Sequence, residues 1–434
     1  MVVIGGGYTG MWTAWHLLDA GATVVLVEAD VCGHGPSGRN GGFCESMWQS
    51  APSLRERFGD GPARALLDAS SGSVSFIGDW CASEGVDASF HRAGYMCVST
   101  APAFDNVGRD AVAAAAALGA PDRVVDLTGT EVRARCDSAL FRRGVLIPDF
   151  ATVQPARLAL GLRRRLLERG APIFERSRVR RLERGAAGVV AETAGGRVRA
   201  GAAVIAMGSA ARALRPLHTK LTVASSHIVL TEPVPDVIED LGWTGGECMT
   251  DGRTLLHYFR TTPDGRILLG WGGGRLAYGN RLKGRVEVDP EIAAEAHTGL
   301  VRLFPALAGR RVTHAWGGPI DVSPSHIPQI GTLSGAPVHF AFGFTGNGVG
   351  PSQLAGRTLA SLALDRRDEH TRLPIVDAGP GALVPPEPLT WLGGSLVRSA
   401  LIRCERAAEY GGRADPVTRA ICAAPRAMGM HLGR

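Results

Sequence analysis

The stretch Met1-Val-Val-Ile4-Gly5-Gly6-Gly7-Tyr8-Thr9-Gly10 runs into the apolar segment Met11–Ala20, and Thr23-Val-Val-Leu-Val-Glu28 follows. Met1–Ile4 is apolar throughout, as a short strand buried on both faces should be. Met11–Ala20 reads as a helix, and Thr23–Glu28 as a second buried strand that ends in an acid. Strand, glycine turn, helix, strand and acid, in this order, are the context that a dinucleotide-binding fingerprint requires. Gly5 makes the tight turn, Gly7 lets a pyrophosphate approach the backbone, and Gly10 lets the helix pack on the strand. The helix N-terminus then presents unpaired N–H groups and the positive end of its dipole to the phosphates. Glu28, 18 residues after Gly10, is placed to accept a hydrogen bond from a ribose hydroxyl. The strand starts at Met1 itself, so further residues upstream are expected. Strand and turn already occupy Met1–Gly7, so no signal peptide is expected there.

A second glycine-rich loop, Gly35-Pro-Ser37-Gly-Arg39-Asn40-Gly41-Gly42-Phe43, comes directly after the second strand. A nicotinamide dinucleotide has no use for a loop there; the flavin half of FAD, wrapped by backbone, does. Helices are expected at Leu54–Ala69, Val74–Glu84 and Ala111–Leu118, and after Gln154-Pro155 as far as Arg169. Ala171–Phe174, Val179–Leu182, Val189–Glu192 and Arg197–Ala200 read as a meander of short strands. Ala203–Met207 reads as a buried strand ending at Gly208. Strands are expected at Thr222–Thr231, Leu255–Arg260, Ile267–Trp271 and His339–Phe342, and a helix at Pro290–Phe304.

The dinucleotide motif, the loop Ser37–Gly42, the strand end Ala206-Met-Gly208 and the late turn Gly343-Phe-Thr-Gly346-Asn347-Gly348-Val349 form an ordered set. That set resembles the FAD-dependent amine oxidases of the D-amino-acid oxidase superfamily, and the wording of the second loop is most similar to the γ-glutamylputrescine oxidases. The resemblance spans about residues 1–365. It implies an α/β fold in which a Rossmann-like FAD-binding domain is interleaved with an α+β, mixed-sheet substrate domain. Segments 1–50, 145–215 and 310–365 would form the first, and 51–144 and 216–309 the second. Residues 366–434 would be a tail packed across the outside.

The same resemblance implies the cofactor contacts. Gly5, Gly7, Gly10 and Glu28 would hold the ADP half, and Val179 would reach adenine through its backbone. Ser37, Arg39, Asn40, Gly41 and Gly42 would pass the pyrophosphate and flavin. Gly208 would close the groove. Gly346, Asn347, Gly348 and Val349 would aim a helix N-terminus at the flavin, where negative charge is stabilised. Relatives attach the flavin through a cysteine just before the Pro-x-Ile-Gly segment. Trp316-Gly-Gly318 stands there instead, so FAD is expected to be non-covalent.

Relatives that take α-amino acids clamp the carboxylate with Arg before the same segment or in the late turn. This chain reads Trp316-Gly-Gly-Pro-Ile-Asp321 and Phe344-Thr-Gly-Asn347. A buried carboxylate without a charged partner is costly, so the expected substrate is an amine lacking a clamped α-carboxylate. O2 is the expected electron acceptor, with a membrane quinone as the alternative; a non-catalytic flavin-binding protein is the other reading. Tyr258, Arg260, Trp271 and Trp316 are the residues expected at the substrate. Tyr258 and Arg260 share one face of their strand, and Arg260 could pair with a remote acid. His227, His257 and His326 are weaker candidates; Cys32, Cys44 and Phe43 near the flavin loop read chiefly as packing.

Composition bounds the rest. The chain has 434 residues, 45% of them apolar, enough for two or three domains at about 150 residues each. Glycine is 58 of the 434, about double the usual share, without collagen periodicity. The net charge is +6, most of it in residues 391–434, where seven Arg stand against Glu405, Glu409 and Asp415; Lys220 and Lys283 are the only lysines among 47 basic residues. That bias speaks for genome composition rather than a nucleic-acid partner. Residues 391–434 are basic, and in the quinone-linked alternative they would touch a membrane through Trp391, Leu396 and Ile402. No metal site is expected, because none of the eight cysteines has C-x-x-C spacing. Unpaired thiols in a long chain point to the cytoplasm.

Overall fold

The computed structural model describes all residues except 186, 187, 216, 280, 380 and 432–434. In it Val2–Ile4 lies inside a six-stranded sheet in the order Gln329–Thr332, Val338–Phe342, Ala203–Ile205, Val2–Ile4, Val25–Val27, Ile173–Phe174. All neighbours are parallel except the first pair. Val3 sits opposite Val204 and Leu26, and all three are fully buried. Strands covered on both faces select this uninterrupted apolar pattern. Helices Tyr8–Asp19 and Val349–Ala363 lie against each other. A methyl group at Gly356 would come within 2.5 Å of Trp12 Cβ, so that glycine sets how closely they approach.

The second sheet has eight strands, in the order Val312–Val322, Thr222–Thr231, Ile267–Trp271, His257–Thr261, Cys248–Asp251, Tyr95–Val98, Gly144–Ile147, Val125–Leu127. It is mixed: Cys248–Asp251 runs parallel to Tyr95–Val98, and its other pairs are antiparallel. Helix Pro290–Leu303 covers one face, where Gly299 meets the His257 ring. The α/β class and the pairing of a dinucleotide-type sheet with a mixed sheet are as expected.

Three details differ from the sequence reading. Gly144–Ile147 and Val312–Val322 begin segments expected in the cofactor half, yet both pair within the eight-stranded sheet. Val312–Val322 is held along its length by Thr222–Thr231, a partner no local pattern reveals. Ile173–Phe174 pairs with Leu26–Val27, so the separate meander has only Arg181–Gly185, Gly188–Glu192 and Arg197–Ala200. Finally, the helices expected at Leu54–Ala69 and Val74–Glu84 are instead Ala51–Phe58 and Asp60–Ser83, so the break falls at Gly59 and the second helix runs on through Ser70–Ser73. Ser70 and Ser73 donate to backbone carbonyls of Leu67 and Ser70, so these poor helix formers stay satisfied inside it.

The tail ends in helices Leu389–Glu409 and Pro416–Ala427. The first is docked on the mixed sheet. Arg398 donates to the carbonyls of Gly273 (2.8 Å) and Gly274 (2.7 Å). Glu405 accepts from the N–H groups of Thr254 (2.6 Å) and Leu255 (3.1 Å). Glu409 pairs with Arg253 and Arg302. Among the described residues no helix is long and apolar enough to cross a membrane.

Candidate functional site

The first glycine turn is fixed by backbone crowding. Gly5 has φ +113°, and a Cβ there would lie 2.3 Å from the Ala206 carbonyl oxygen. At Gly10 a Cβ would lie 1.9 Å from the Gly5 oxygen. Gly7 differs: its only close neighbour is Ser37 Oγ, at 3.0 Å. Helix Tyr8–Asp19 has no capping side chain at Gly7; Tyr8 N–H donates instead to Ser37 Oγ at 2.9 Å. The second loop therefore meets the first at a helix N-terminus, where a phosphate is favoured. Glu28 follows the strand Val25–Val27 beside this turn and accepts from Gly6 N–H (2.6 Å) and Asp30 N–H (2.7 Å). Val179 lies just ahead of the strand Arg181–Gly185 rather than within it.

The second loop contains one turn of helix, Pro36–Arg39, then a strand, Phe43–Cys44, paired with Ala151–Thr152. Asn40 is spent on the loop itself: its amide donates to the carbonyls of Pro36 and Ser37, and its oxygen accepts from Gly42 N–H. The Arg39 guanidinium pairs with Glu287 at 3.2 Å. Gly41 and Gly42 are pressed from behind. A Cβ on Gly41 would meet the Tyr258 ring at 2.9 Å, and on Gly42 (φ +77°) the Val153 oxygen at 2.1 Å.

At the far end, Gly208 (φ +50°) turns the chain after Ala203–Ile205. Gly346 (φ +85°) and Gly348 lead into helix Val349–Ala363. Glu45, buried and absent from the sequence-based set, accepts from Val349 N–H at 3.2 Å. Asn347 accepts from the Gln49 amide at 3.2 Å. Neither contact had a local signal, since 304 and 298 residues separate the partners.

Sheet register sorts the four substrate-face candidates. Tyr258, Gly270, Ile228 and Trp316 stand in one row across neighbouring strands and share a face. Tyr258 packs edge-on against Phe43, and the Trp316 indole donates to the Arg39 carbonyl at 2.8 Å. That face therefore looks onto the second glycine loop. The Tyr258 hydroxyl lies 2.7 Å from Ser226 Oγ, which donates to the Trp271 carbonyl; burial pushes the phenol up to about 12. Space is open above Gly318, and the neighbouring Asp321 carboxyl, raised to about 6 by burial, accepts from Gly343 N–H.

Two expectations are corrected here. Trp271 stands in the adjacent row with His227 and His257, facing away from the loop. Its indole donates to the Leu255 carbonyl, its ring stacks on His257, and Arg398 lies over it. Arg260 faces the loop but is not free for an acidic substrate. Its guanidinium is buried and donates to the carbonyls of Gly41 (2.6 Å), Val153 (2.9 Å) and Thr261 (3.1 Å).

The weaker candidates have structural roles or lie aside. His257 Nδ1 is 2.7 Å from Asp251 Oδ2. His227 is buried against Gly317, and burial lowers its pKa. His326 lies in the turn after Ser323 with φ 55°. Burial pushes the Cys32 thiol up to about 12 and raises the Cys44 thiol well above its ordinary value, which leaves both inert. No cluster among the described residues could hold a metal. A groove of about 350 Å³ between the edge strand Gln329–Thr332 and residues 375–379 is lined by none of the glycine-loop residues.

These residues fit FAD. Gly7 leaves a cradle that a Cβ would fill, and the N-terminus beside it has no side-chain cap of its own. The buried oxygens of Ser46, Gln49 and Ser209 have no hydrogen-bond partner among the described residues; Ser46 and Gln49 follow Glu45 closely in the chain, and Ser209 follows Gly208. Buried polar atoms of this kind ask for a ligand.

Fold and site together define a flavin-dinucleotide oxidoreductase, and comparison with known proteins agrees. Residues 1–362 match the FAD dependent oxidoreductase family. The chain belongs to that family and is an FAD-dependent enzyme. It is 27% identical to a probable oxidoreductase OrdL of Rhizobium meliloti, over 93% of this chain and 89% of that protein. It is 28% identical to the gamma-glutamylputrescine oxidoreductase of Escherichia coli, over 86% of each. In fold it is similar to glycine oxidase from Geobacillus kaustophilus, with a TM-score of 0.70 at 20% identity over 85% of this chain and 95% of that one.

Glu28→Arg is expected to lower FAD content at least several-fold. It leaves two N–H groups of the turn unpaired, each worth roughly 1–3 kcal/mol, and brings a cation where the ribose hydroxyl needs an acceptor. Full flavin content with an unchanged melting temperature would remove Glu28 from the site.

Proposed function

We propose that the chain oxidises the C–N bond of an amine without a clamped α-carboxylate to an imine, which water converts to an aldehyde. In this reading the six-stranded sheet carries a non-covalent FAD on the two glycine loops and the turn Gly346–Val349. The mixed sheet supplies the substrate wall through Tyr258, Ser226, Trp316 and the space above Gly318. The observation that carries it is the state of Arg260: the guanidinium facing the loop from strand His257–Thr261 is already held by three carbonyls. A buried substrate carboxylate would find no spare partner there, and an unpaired buried charge is strongly disfavoured.

Bound FAD supplies the two-electron acceptor. The chain's own residues position the amine and exclude water, which for such chemistry is most of the catalytic task. Tyr258, with its hydroxyl fixed by Ser226, is a rigid neutral wall. A neutral wall suits the unprotonated amine, the form that loses hydride. We assign O2 as the final acceptor, giving H2O2, and the cytoplasm as the location, since all eight cysteines are free and oxidising compartments pair them.

Two measurements test this reading. Acid precipitation should leave yellow FAD in the supernatant; flavin held in the pellet would overturn non-covalent binding. Under anaerobic conditions the flavin should bleach with amines such as γ-glutamylputrescine or an aminoalkylphosphonate. Fast bleaching by glycine, sarcosine or a D-amino acid, and none by those amines, would overturn the substrate class. Readmitting air should then yield one peroxide per flavin turnover.

A further inference from the structure

We propose that Cys404 and Cys422 form a thiol–disulfide site, oxidised by hydroperoxides, that covalently closes the C-terminal helical hairpin. The two cysteines lie on facing helices, Leu389–Glu409 and Pro416–Ala427, with their sulfurs 3.2 Å apart. A covalent S–S bond of about 2.0 Å is within a small side-chain adjustment of that contact. They are also the accessible pair: the other six thiols are buried, and these two are half-exposed.

A second observation points the same way. The outer helix Pro416–Ala427 buries only Thr418 and Pro425. A unit with so little core is the kind that small proteins secure with a cross-link. The inner helix needs no such help, because Arg398, Glu405 and Glu409 anchor it to the mixed sheet. Closing the pair would tie the loosely held helix to the anchored one, directly beside Glu405 and the backbone of Thr254 and Leu255.

The chemistry balances in two steps. A hydroperoxide transfers one oxygen to Cys404, giving a sulfenic acid and, from H2O2, water. Cys422 sulfur then attacks the Cys404 sulfur; the S–S bond forms, the S–O bond breaks, and the departing hydroxide leaves as water with the Cys422 proton. Two thiols lose two electrons and the peroxide gains them. Burial and the neighbouring Cys404 sulfur push the Cys422 thiol up to about 12.

The experiment treats the FAD-loaded full chain with added H2O2, so it does not depend on whether the enzyme makes peroxide itself. The expected result is loss of two alkylatable thiols, with the Cys404 and Cys422 peptides joined and the mass reduced by two hydrogens. Arg413, exposed in the turn between the helices, provides a second readout. After tryptic nicking there, the fragments should stay together without reductant and separate with it. In Cys422→Ser, Cys404 should instead take up oxygen and form no cross-link. The proposal is overturned if the two cysteines of peroxide-treated wild type alkylate separately. It is equally overturned if each oxidises at a rate indifferent to replacement of the other.

Discussion

Gly10→Ala is expected to give a chain that purifies almost free of flavin and melts well below the wild type. The added methyl would sit 1.9 Å from the Gly5 carbonyl oxygen, far inside contact distance. Gly5 cannot give way, because its own position is pinned against Ala206 at φ +113°. Nor can helix Tyr8–Asp19 retreat: most of its residues are buried, and it is wedged against helix Val349–Ala363. A clash with nowhere to relax belongs to the severe class of substitutions, about 4 kcal/mol or more. Gly7→Ala separates crowding from cofactor binding. Its methyl would meet only Ser37 Oγ, at 3.0 Å, so the apoprotein should melt within a few degrees of wild type while FAD content falls several-fold. Visible flavin absorbance per protein, read beside thermal melts of the apoproteins, distinguishes the two. If Gly10→Ala keeps its flavin and its melting temperature, the crowding argument is wrong. If Gly7→Ala binds FAD normally, the cradle lies elsewhere.

The first thirty residues were legible because their meaning is local. Glycines, helix and acid lie within one βαβ unit, and each residue's role follows from its neighbours in the chain. The same holds for Tyr258 and Arg260, two residues apart on a strand and therefore on one face. What could not be read depends on partners far away. Trp271 and Trp316 look alike as aromatic residues on strands, and only the register of Thr222–Thr231 with both neighbouring strands puts them in adjacent, oppositely facing rows. Glu45 meets Val349 across 304 residues. The Gly144–Ile147 and Val312–Val322 strands pair within the mixed sheet for the same reason: a strand's partner is set by residues far along the chain.

Arg260 shows how register changes a functional expectation into a different one. Position alone suggested a guanidinium free to hold a remote substrate acid. The structure instead spends it on the carbonyls of Gly41, Val153 and Thr261. Burial lowers its pKa to about 10, so it remains charged at neutral pH. A buried cation satisfied by main-chain oxygens acts as a clamp: it fixes Gly41 and Gly42 from behind while Val153 N–H bonds the Gly42 carbonyl. Arg260→Ala should therefore loosen the loop rather than alter selectivity. Each abandoned buried carbonyl costs roughly 1–3 kcal/mol, so a clear fall in melting temperature and weaker FAD binding are expected. Turnover of acidic and neutral amines should drop by the same factor. Arg260→Lys should rescue only part of this, because an ammonium lacks the planar fork that reaches two carbonyls at once. The decisive comparison is KM for an acidic amine against its neutral analogue in the two variants, beside the FAD dissociation constant. A rise in KM confined to the acidic amine, with FAD affinity intact, would return Arg260 to the substrate and undo the clamp.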